Sequence, residues 1–235
     1  MLLSVKNIAV YYGKTAAVQD VSLDVKDGTV VSLIGNNGAG KSTTLRAISG
    51  WKHPAKGEIV FDGQRIDKMP PNRVTQIGIA HVPENRRLFP EMTVLENLEM
   101  GAYLRRDKAG IKRDLERVHD LFPIIKERSK QMAGTMSGGQ QQMVAMARAL
   151  MSAPRLVVMD EPTLGLAPII CAQIAHIIKE INKEGVTIVL VEQNARMALK
   201  VSDWGYVCDT GKIILDGSAE ELQQSEMIRQ AYLGG

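Results

Sequence analysis

The chain has 235 residues, of which 45% are hydrophobic, 23% charged and only 4% aromatic. These proportions are typical of a globular protein with a substantial core, and they disfavour an aromatic-rich surface for RNA or sugars. The 29 basic and 26 acidic residues give a net charge of +3, which is too balanced to indicate nucleic-acid binding, so no nucleic-acid partner is expected. No apolar run approaches the roughly 18 residues of a membrane span.

The chain opens with segments of β-type sequence. Residues 3–13 and 17–28 are rich in β-favouring residues, and residues 29–35 are almost continuously apolar. Continuous apolarity predicts a strand that is buried on both faces. A helical pattern follows, with Gly50 as its predicted end, and residues 57–66 predict a hairpin.

Helix-type sequence dominates from about residue 94 to residue 150, and Thr93 with Glu96 has the spacing of a capping box. Strand signals return at residues 155–160 and 187–192, with a helix predicted from Pro168 to Lys183. The tail alternates briefly over residues 204–217 and ends in a predicted short helix, and Cys171 and Cys208 are expected to be small buried residues. Because alternating strands and helices favour a parallel sheet, the sequence predicts an α/β core with a mainly helical insertion.

Residues 35–42 fit the Walker A pattern of a phosphate-binding loop between a buried strand and a helix. Glycines let the backbone wrap around phosphates, and the helix N-terminus adds free N–H donors. Lys41 can reach the β- and γ-phosphates, and the Ser42 hydroxyl can bind Mg²⁺. The predicted nucleotide-binding residues of this segment are Gly35, Asn36, Asn37, Gly38, Ala39, Gly40, Lys41, Ser42 and Thr43. The sequence therefore predicts that the chain binds a nucleoside triphosphate.

Two carboxylates, Asp160 and Glu161, follow four apolar residues at the end of a predicted strand. Ligands bind at the carboxyl ends of strands in open α/β sheets. Adjacent carboxylates can divide the work, so that Asp160 holds Mg²⁺ while Glu161 polarises the attacking water. Two acids after a strand can also form a helix N-cap, and this alternative stays open.

A third motif, Ser-Gly-Gly-Gln at residues 137–140, begins a predicted amphipathic helix. Such a helix start can bind an anion, although it can also be only a flexible cap. It lies between the Walker A loop and the two acids, and this ordered set resembles the ATP-binding-cassette (ABC) ATPase family over essentially the whole chain. The resemblance implies a P-loop NTPase fold with a mixed or parallel core sheet, an N-terminal antiparallel β region and a helical subdomain.

Further expectations follow from the resemblance. It implies one domain over residues 1–235, with a RecA-like core and β subdomain at about 1–87 and 153–235. The helical subdomain, about 88–152, would contact a membrane-spanning partner. Two subunits would pair head to tail, so that the signature residues of one chain close over the γ-phosphate held by the other. These signature residues are Ser137, Gly138, Gly139 and Gln140.

The resemblance also implies roles for single residues. Tyr12 would stack against adenine, although it could instead be a core aromatic at a strand end, and Tyr11 is expected to pack in the strand. The implied catalytic residues are Glu161, Gln193 and Lys41, and the cofactors are ATP and Mg²⁺. The implied metal ligands are Ser42, Glu84 and Asp160.

Three positions depart from the broad family pattern. Glu84 stands where a glutamine usually contacts Mg²⁺ and the attacking water. Ala167 replaces an aspartate that usually bridges the two subunits. Gln193 replaces a histidine that senses the γ-phosphate; an amide can donate a hydrogen bond to phosphate but cannot gain a proton near pH 7. Glu192, beside it, is expected to be an orienting or solvated carboxylate, with a second base as the alternative.

The segments that carry these departures, residues 82–90, 163–168 and 191–194, resemble the F-type ATPase subunits of branched-chain amino-acid importers. The resemblance implies ATP hydrolysis coupled to import of leucine, isoleucine or valine. The implied partners are transmembrane permeases, a sister ATPase subunit or a second copy, and indirectly a solute-binding protein. The implied location is peripheral, on the cytoplasmic face of the plasma or inner membrane.

Other functions remain as alternatives. Importers of urea or short amides use similar ATPases, and another amino acid could be the cargo. A soluble ABC ATPase acting on DNA or ribosomes usually has two cassettes or a long coiled-coil insertion, and neither fits in this length. A regulatory ABC subunit without transport is a third alternative. A GTPase is disfavoured because residues 182–185, Asn-Lys-Glu-Gly, lack the aspartate of a guanine-reading motif.

Overall fold

The computed structural model describes residues 1–228, 230 and 231, and its elements follow the predicted order. The strands are β1 (Leu3–Tyr12), β2 (Thr15–Val25), β3 (Val30–Ile34), β4 (Lys56–Phe61), β5 (Gln64–Arg65), β6 (Ile79–Val82), β7 (Leu156–Asp160), β8 (Thr187–Glu192), β9 (Trp204–Asp209) and β10 (Lys212–Ser218). The helices are α1 (Lys41–Ile48), α2 (Pro71–Gln76), α3 (Val94–Gly101), α4 (Lys108–Leu121), α5 (Pro123–Glu127), α6 (Gly138–Leu150), α7 (Pro168–Lys183), α8 (Ala195–Val201), α9 (Ala219–Gln224) and α10 (Glu226–Ile228). One turn of 3-10 helix covers Ala133–Thr135.

The strands of the described chain form one mixed sheet in the order β5-β4-β1-β2-β10-β9-β3-β8-β7-β6. Neighbours from β9 to β6 are parallel, which confirms the predicted core. The strands β1, β2, β4 and β5 pair antiparallel, which confirms the predicted N-terminal region. Within the described residues, no helix is both long and apolar enough to cross a membrane.

The central strands are buried on both faces, as their continuous apolarity predicts. In β7, Leu156 and Val158 pack into the hydrophobic core on the side of β1, β2 and α1. Val157 and Met159 pack into a second core with α6, α7 and α8. Because side chains alternate across a strand, this short apolar segment contributes to both cores. Its burial fixes the position of the polar residues that follow it.

The middle of the chain is helical between β6 and β7, as predicted. Thr93 caps α3 through a capping box with Glu96, and α7 has the predicted bounds. Gly50 follows the C-cap residue of α1 with a φ of 73°, which is the left-handed position that glycine favours. The division into subdomains at residues 88 and 152 stays a prediction, and residues 229 and 232–235 of the predicted domain lie outside the described residues.

A buried asparagine fixes the segment between β6 and α3. Asn97 is fully buried, and its Oδ1 accepts a hydrogen bond from the Phe89 N–H at 3.0 Å. Its Nδ2 donates to the carbonyl oxygens of Phe89 and Thr93, each at 3.0 Å. The side chain therefore satisfies backbone groups of a segment that has no secondary structure of its own.

We expect Asn97→Ala to destabilise the fold because it leaves the Phe89 N–H without its acceptor and removes one of the donors to the Phe89 carbonyl oxygen. The loss should be about 1–3 kcal/mol, measured by urea denaturation. Glu99→Ala, on the exposed face of the same helix, is the control and should change the free energy of unfolding by less than about 0.5 kcal/mol. Equal stability of the two variants would contradict the assigned role of Asn97.

Candidate nucleotide-binding site

The predicted phosphate-binding loop connects β3 to α1 and passes close to neighbouring backbone. Gly40, the N-cap residue of α1, has a φ of 100°, a conformation that favours glycine. A Cβ at Gly40 would lie 2.6 Å from the Ala17 carbonyl oxygen, and a Cβ at Gly35 would overlap the Cys208 carbonyl oxygen. The shape of the loop and its close contacts with neighbouring backbone therefore require glycine at positions 35 and 40.

Two groups from the β9–β10 hairpin hold the loop at Ala39. The Ala39 carbonyl oxygen accepts a hydrogen bond from the Gly211 N–H at 2.9 Å and another from the Cys208 thiol at 2.8 Å. Burial raises the pKa of Cys208 to about 11, so the thiol stays protonated and able to donate at neutral pH. No local pattern indicates this contact, because Cys208 and Ala39 are 169 residues apart in the chain.

Lys41 is nearly inaccessible and bound on several sides. Its Nζ donates to the carbonyl oxygens of Gly35 at 2.8 Å and Asn36 at 3.1 Å. The same atom lies 3.3 Å from Oε1 of Glu161, and both side chains are at most 9% exposed. The structure therefore brings the predicted phosphate-binding lysine and the predicted water-polarising carboxylate into direct contact.

Ser42 and Asp160 form a second link between the loop and the end of β7. The Ser42 hydroxyl donates to Asp160 Oδ1 at 2.7 Å. Burial raises the pKa of the Asp160 carboxyl; the hydrogen bond from Ser42 opposes this shift, and the nearby charge of Glu161 adds to it. A hydroxyl and a carboxylate side by side are oxygen donors of the kind that Mg²⁺ prefers.

A cleft of about 390 Å³ opens beside the loop. Its lining consists of Ala17, Asn37, Gly38, Ala39, Gly40, Lys41, Ser42, Thr43, Glu84, Glu161 and Leu164. The first-turn N–H groups of α1 have no acceptor inside the helix, and the positive end of the helix dipole favours anions. Together with the Lys41 ammonium, this donor set fits a polyphosphate, and Glu84 and Glu161 lie at the same cleft.

Tyr12 lies outside the cleft lining. Its side chain is 43% exposed, so it is not a core aromatic. The Arg46 guanidinium donates to its hydroxyl at 3.4 Å, and the Lys52 ammonium lies 4.9 Å from the ring centroid. Contact with adenine stays a prediction for Tyr12. The expected packing of Tyr11 is wrong in part, since that side chain is 37% exposed.

The signature residues also lie outside the cleft lining of their own chain. Ser137 caps α6 and forms a capping box with Gln140. Gly139 is buried, and a Cβ there would lie 2.7 Å from Ile170, so this glycine allows α6 to approach α7. The structure therefore shows a local role for Ser137 and Gly139 and does not bring the signature to the Lys41 side of the same chain.

Three consecutive polar residues at the end of β8 have different surroundings. Glu192 is only 2% exposed, and its Oε1 accepts hydrogen bonds from the N–H and hydroxyl of Thr163 at 3.0 and 2.7 Å. Of the two expectations for Glu192, a solvated carboxylate is therefore wrong, and an orienting carboxylate stays a prediction. Asn194 caps α8 by accepting from the Met197 N–H at 3.0 Å. Gln193 is exposed and outside the cleft lining, so its contact with phosphate stays a prediction.

A glycine-rich loop, a lysine at a helix start and paired strand-end carboxylates define a P-loop nucleoside triphosphatase. The profile of the family described as ABC transporter matches residues 18–164. The chain is 48% identical over 234 residues to the high-affinity branched-chain amino acid transport ATP-binding protein BraG of Pseudomonas aeruginosa, with 100% of both chains covered. The chain belongs to the ABC transporter ATP-binding family, and it is an ATPase.

Two further similarities support this assignment. The chain is 37% identical to the probable branched-chain amino acid transport ATP-binding protein LivF of Archaeoglobus fulgidus, with 92% of this chain and 91% of the relative covered. Its fold matches the ADP conformation of MJ1267, an ATP-binding cassette of an ABC transporter, with a TM-score of 0.87 and 28% identity. That match covers 100% of this chain and 99% of the other.

We expect Lys41→Ala to weaken ATP binding because it removes the cation that the loop holds at the cleft. Loss of a charged hydrogen-bond donor should lower the affinity by about ten- to a hundredfold, measured by titration with a fluorescent ATP analogue. Lys56→Ala, at an exposed position of β4, should leave the affinity unchanged. Wild-type affinity in Lys41→Ala would show that Lys41 does not bind the phosphates.

Proposed function

We propose that the chain is the ATP-hydrolysing subunit that energises a membrane importer of branched-chain amino acids. The observation that carries this proposal is its 48% identity, over the full length of both chains, to a protein named for branched-chain amino acid transport. A second relative with such a name is 37% identical over most of its length. The departures at Glu84, Ala167 and Gln193 support the same branch of the family.

In the proposed hydrolytic site, Lys41 binds the β- and γ-phosphates and Glu161 polarises the attacking water. Their 3.3 Å contact supports this assignment because it places both charges at one cleft. Phosphate oxygens compete with Glu161 for the Lys41 ammonium, so nucleotide binding releases the carboxylate toward water. Gln193 completes the proposed site as a hydrogen-bond donor to the γ-phosphate.

Ser42, Asp160 and Glu84 are the proposed Mg²⁺ ligands, directly or through water. The 2.7 Å contact between Ser42 and Asp160 and the position of Glu84 at the same cleft support this set. Bound Mg²⁺ supplies positive charge that neutralises phosphate oxygens. Asp160, whose pKa is raised by burial, would be ionised when it holds the ion.

The proposed active unit is a pair of ATPase subunits, either two copies or this chain with a sister subunit. The signature residues 137–140 do not line the cleft of their own chain, while Ser137 is exposed at the start of α6. A second subunit that presents its signature to the cleft would complete the site. Each chain would then contribute to two sites, and ATP would hold the pair together.

The proposed permease contact is a groove of about 360 Å³ between β6 and the helices α3 and α6. Trp51, Phe89 and Met100 line it, and each of these large side chains is 38–45% exposed. This groove belongs to the proposed helical subdomain, about residues 88–152, and to the adjoining core. Residues 84–89 connect it to the nucleotide cleft, so a permease segment bound there would be mechanically linked to Glu84.

The remaining partners and the location follow from the proposed transport role. The subunit would work peripherally on the cytoplasmic face of the plasma or inner membrane. It would respond indirectly to a solute-binding protein on the other side. Importers of urea or short amides, and importers of other amino acids, are the alternatives for the cargo, since none of the proposed contacts touches the transported solute.

We expect a complex of this chain with its permeases, reconstituted in vesicles, to import leucine, isoleucine or valine only when ATP is on the side of this subunit. Glu161→Gln should retain ATP binding but lower hydrolysis and import together by about a hundredfold or more. ATP-driven uptake of urea or a short amide, without branched-chain amino acids, would replace the proposed cargo. Near wild-type hydrolysis in Glu161→Gln would remove that residue from the proposed catalytic role.

We also expect Ser137→Asn to lower the ATPase rate of the assembled pair by about tenfold or more, because it changes the group that faces the partner's nucleotide. Asparagine is itself a good N-cap residue, so α6 should stay folded, which circular dichroism can check. ATP binding by the isolated chain should be unchanged. If Ser137→Asn weakened ATP binding by the isolated chain about as much as it lowered the ATPase rate of the pair, the result would contradict a shared site.

A further inference from the structure

The turn after β7 holds Glu161 in an uncommon backbone conformation. Glu161 has a φ of 47°, in the left-handed region that costs a residue other than glycine roughly 1–2 kcal/mol. Its N–H donates to the Val191 carbonyl oxygen at 2.9 Å, which extends the pairing of β7 with β8 by one residue. The chain then turns sharply, with the Leu164 N–H bound to the Glu161 carbonyl oxygen at 3.1 Å. Such a conformation persists only when neighbouring groups hold it.

Glu192 is the side chain that holds this turn from the next strand. Two donors of Thr163, its N–H and its hydroxyl, converge on one carboxylate oxygen, Oε1. Glu192 and Thr163 are 2% and 8% exposed, so water does not compete for these bonds. Burial raises the pKa of the Glu192 carboxyl, while the hydrogen bonds from Thr163 oppose this shift. Burying a carboxylate is unfavourable unless it is hydrogen-bonded. The bonds that satisfy Glu192 here also fix the position of Thr163.

A second anchor fixes the same turn from the opposite direction. The Thr163 carbonyl oxygen accepts from the Leu166 N–H at 3.2 Å and lies 3.7 Å from the Cys171 thiol on α7. Thr163 is therefore held at its N–H, its hydroxyl and its carbonyl oxygen. Glu161 and Leu164, the residues of this turn that line the nucleotide cleft, lie two positions before Thr163 and one position after it.

We propose that Glu192 is a positioning residue for ATP hydrolysis, and that its bonds to Thr163 hold the turn in which Glu161 faces the cleft. On this account Glu192 acts through Thr163, whose N–H and hydroxyl it accepts, and does not itself contact the substrate. The inference rests on the proposed catalytic role of Glu161, and it adds a residue that the motif at residues 160–161 does not include. It also explains the buried carboxylate one position before Gln193.

Two substitutions with side chains of similar size to glutamate test separately whether Glu192 acts through its charge or as a hydrogen-bond acceptor. Glu192→Met removes both oxygens and should lower the kcat for ATP hydrolysis by about ten- to a hundredfold, with the KM for ATP within about threefold of wild type. Glu192→Gln keeps an acceptor for Thr163 but cannot act as a base, and it should restore the rate to within about threefold of wild type. Both are measured in the complete transporter complex.

A second pair of variants tests the contact from the other side. Thr163→Val removes the hydroxyl donor and should lower kcat, whereas Thr163→Ser keeps it and should be close to wild type. In the double variant with Glu192→Met, the Thr163→Val change should have little further effect, because the contact is already lost. This pair remains informative if Glu192→Met does not fold.

Three outcomes would overturn the inference. A large loss in Glu192→Gln equal to that in Glu192→Met would indicate that Glu192 acts as a base. Unchanged kcat in both Glu192→Met and Thr163→Val would show that the contact does not position Glu161. A rise in KM with unchanged kcat would indicate a role in ATP binding. Hydrolysis by Glu161→Gln is measured in parallel. If that variant alone retains wild-type turnover, the proposed role of Glu161 is wrong. If Glu161→Gln loses hydrolysis as expected while the Glu192 variants are unchanged, only the positioning role of Glu192 is wrong.

Discussion

The buried contact between Lys41 and Glu161 is the interaction on which the arrangement of the site depends. Two opposite charges taken out of water are stable only when paired and hydrogen-bonded, and here the partners come from the first turn of α1 and the residue after β7. The contact can form only if β3 and β7 end at the same edge of the sheet. The parallel pairing of β3, β8 and β7 provides that alignment.

That alignment is set by hydrophobic burial and then used by polar groups. Each residue of β3, β7 and β8 is buried, so a slip of one residue would exchange the two cores and move every polar group at the strand ends. Lys41, Asp160 and Glu192 are themselves at most 4% exposed. Their hydrogen bonds to Gly35, Ser42 and Thr163 offset the cost of burying charge and tie the loops to the register of the sheet.

The sequence predicted what depends on local spacing. The helix from Pro168 to Lys183, the capping box of Thr93 and the Walker A loop each have a pattern within a few residues, so their structure follows from the sequence. The hydrogen bonds that Cys208 donates to Ala39 and Thr163 donates to Glu192 join residues 169 and 29 positions apart. Such contacts depend on the packed sheet and leave no local pattern. The subdivision of the chain and the roles of Tyr12 and Gln193 depend on partners or ligands and stay predictions.

The two anchored loops also determine how a single chain holds the residues proposed for catalysis. Lys41 contacts Glu161 and donates to two carbonyl oxygens of its own loop. The ammonium and the carboxylate are therefore already paired with each other. In the proposed cycle, the phosphates of ATP take the place of Glu161 as the partner of the Lys41 ammonium, so one ion pair is exchanged for another. The turn at Thr163 would stay fixed during this proposed exchange, because its own bonds do not involve Lys41. A strained but anchored Glu161 can therefore change partners without losing its position, which is the condition for polarising a water molecule at a defined site.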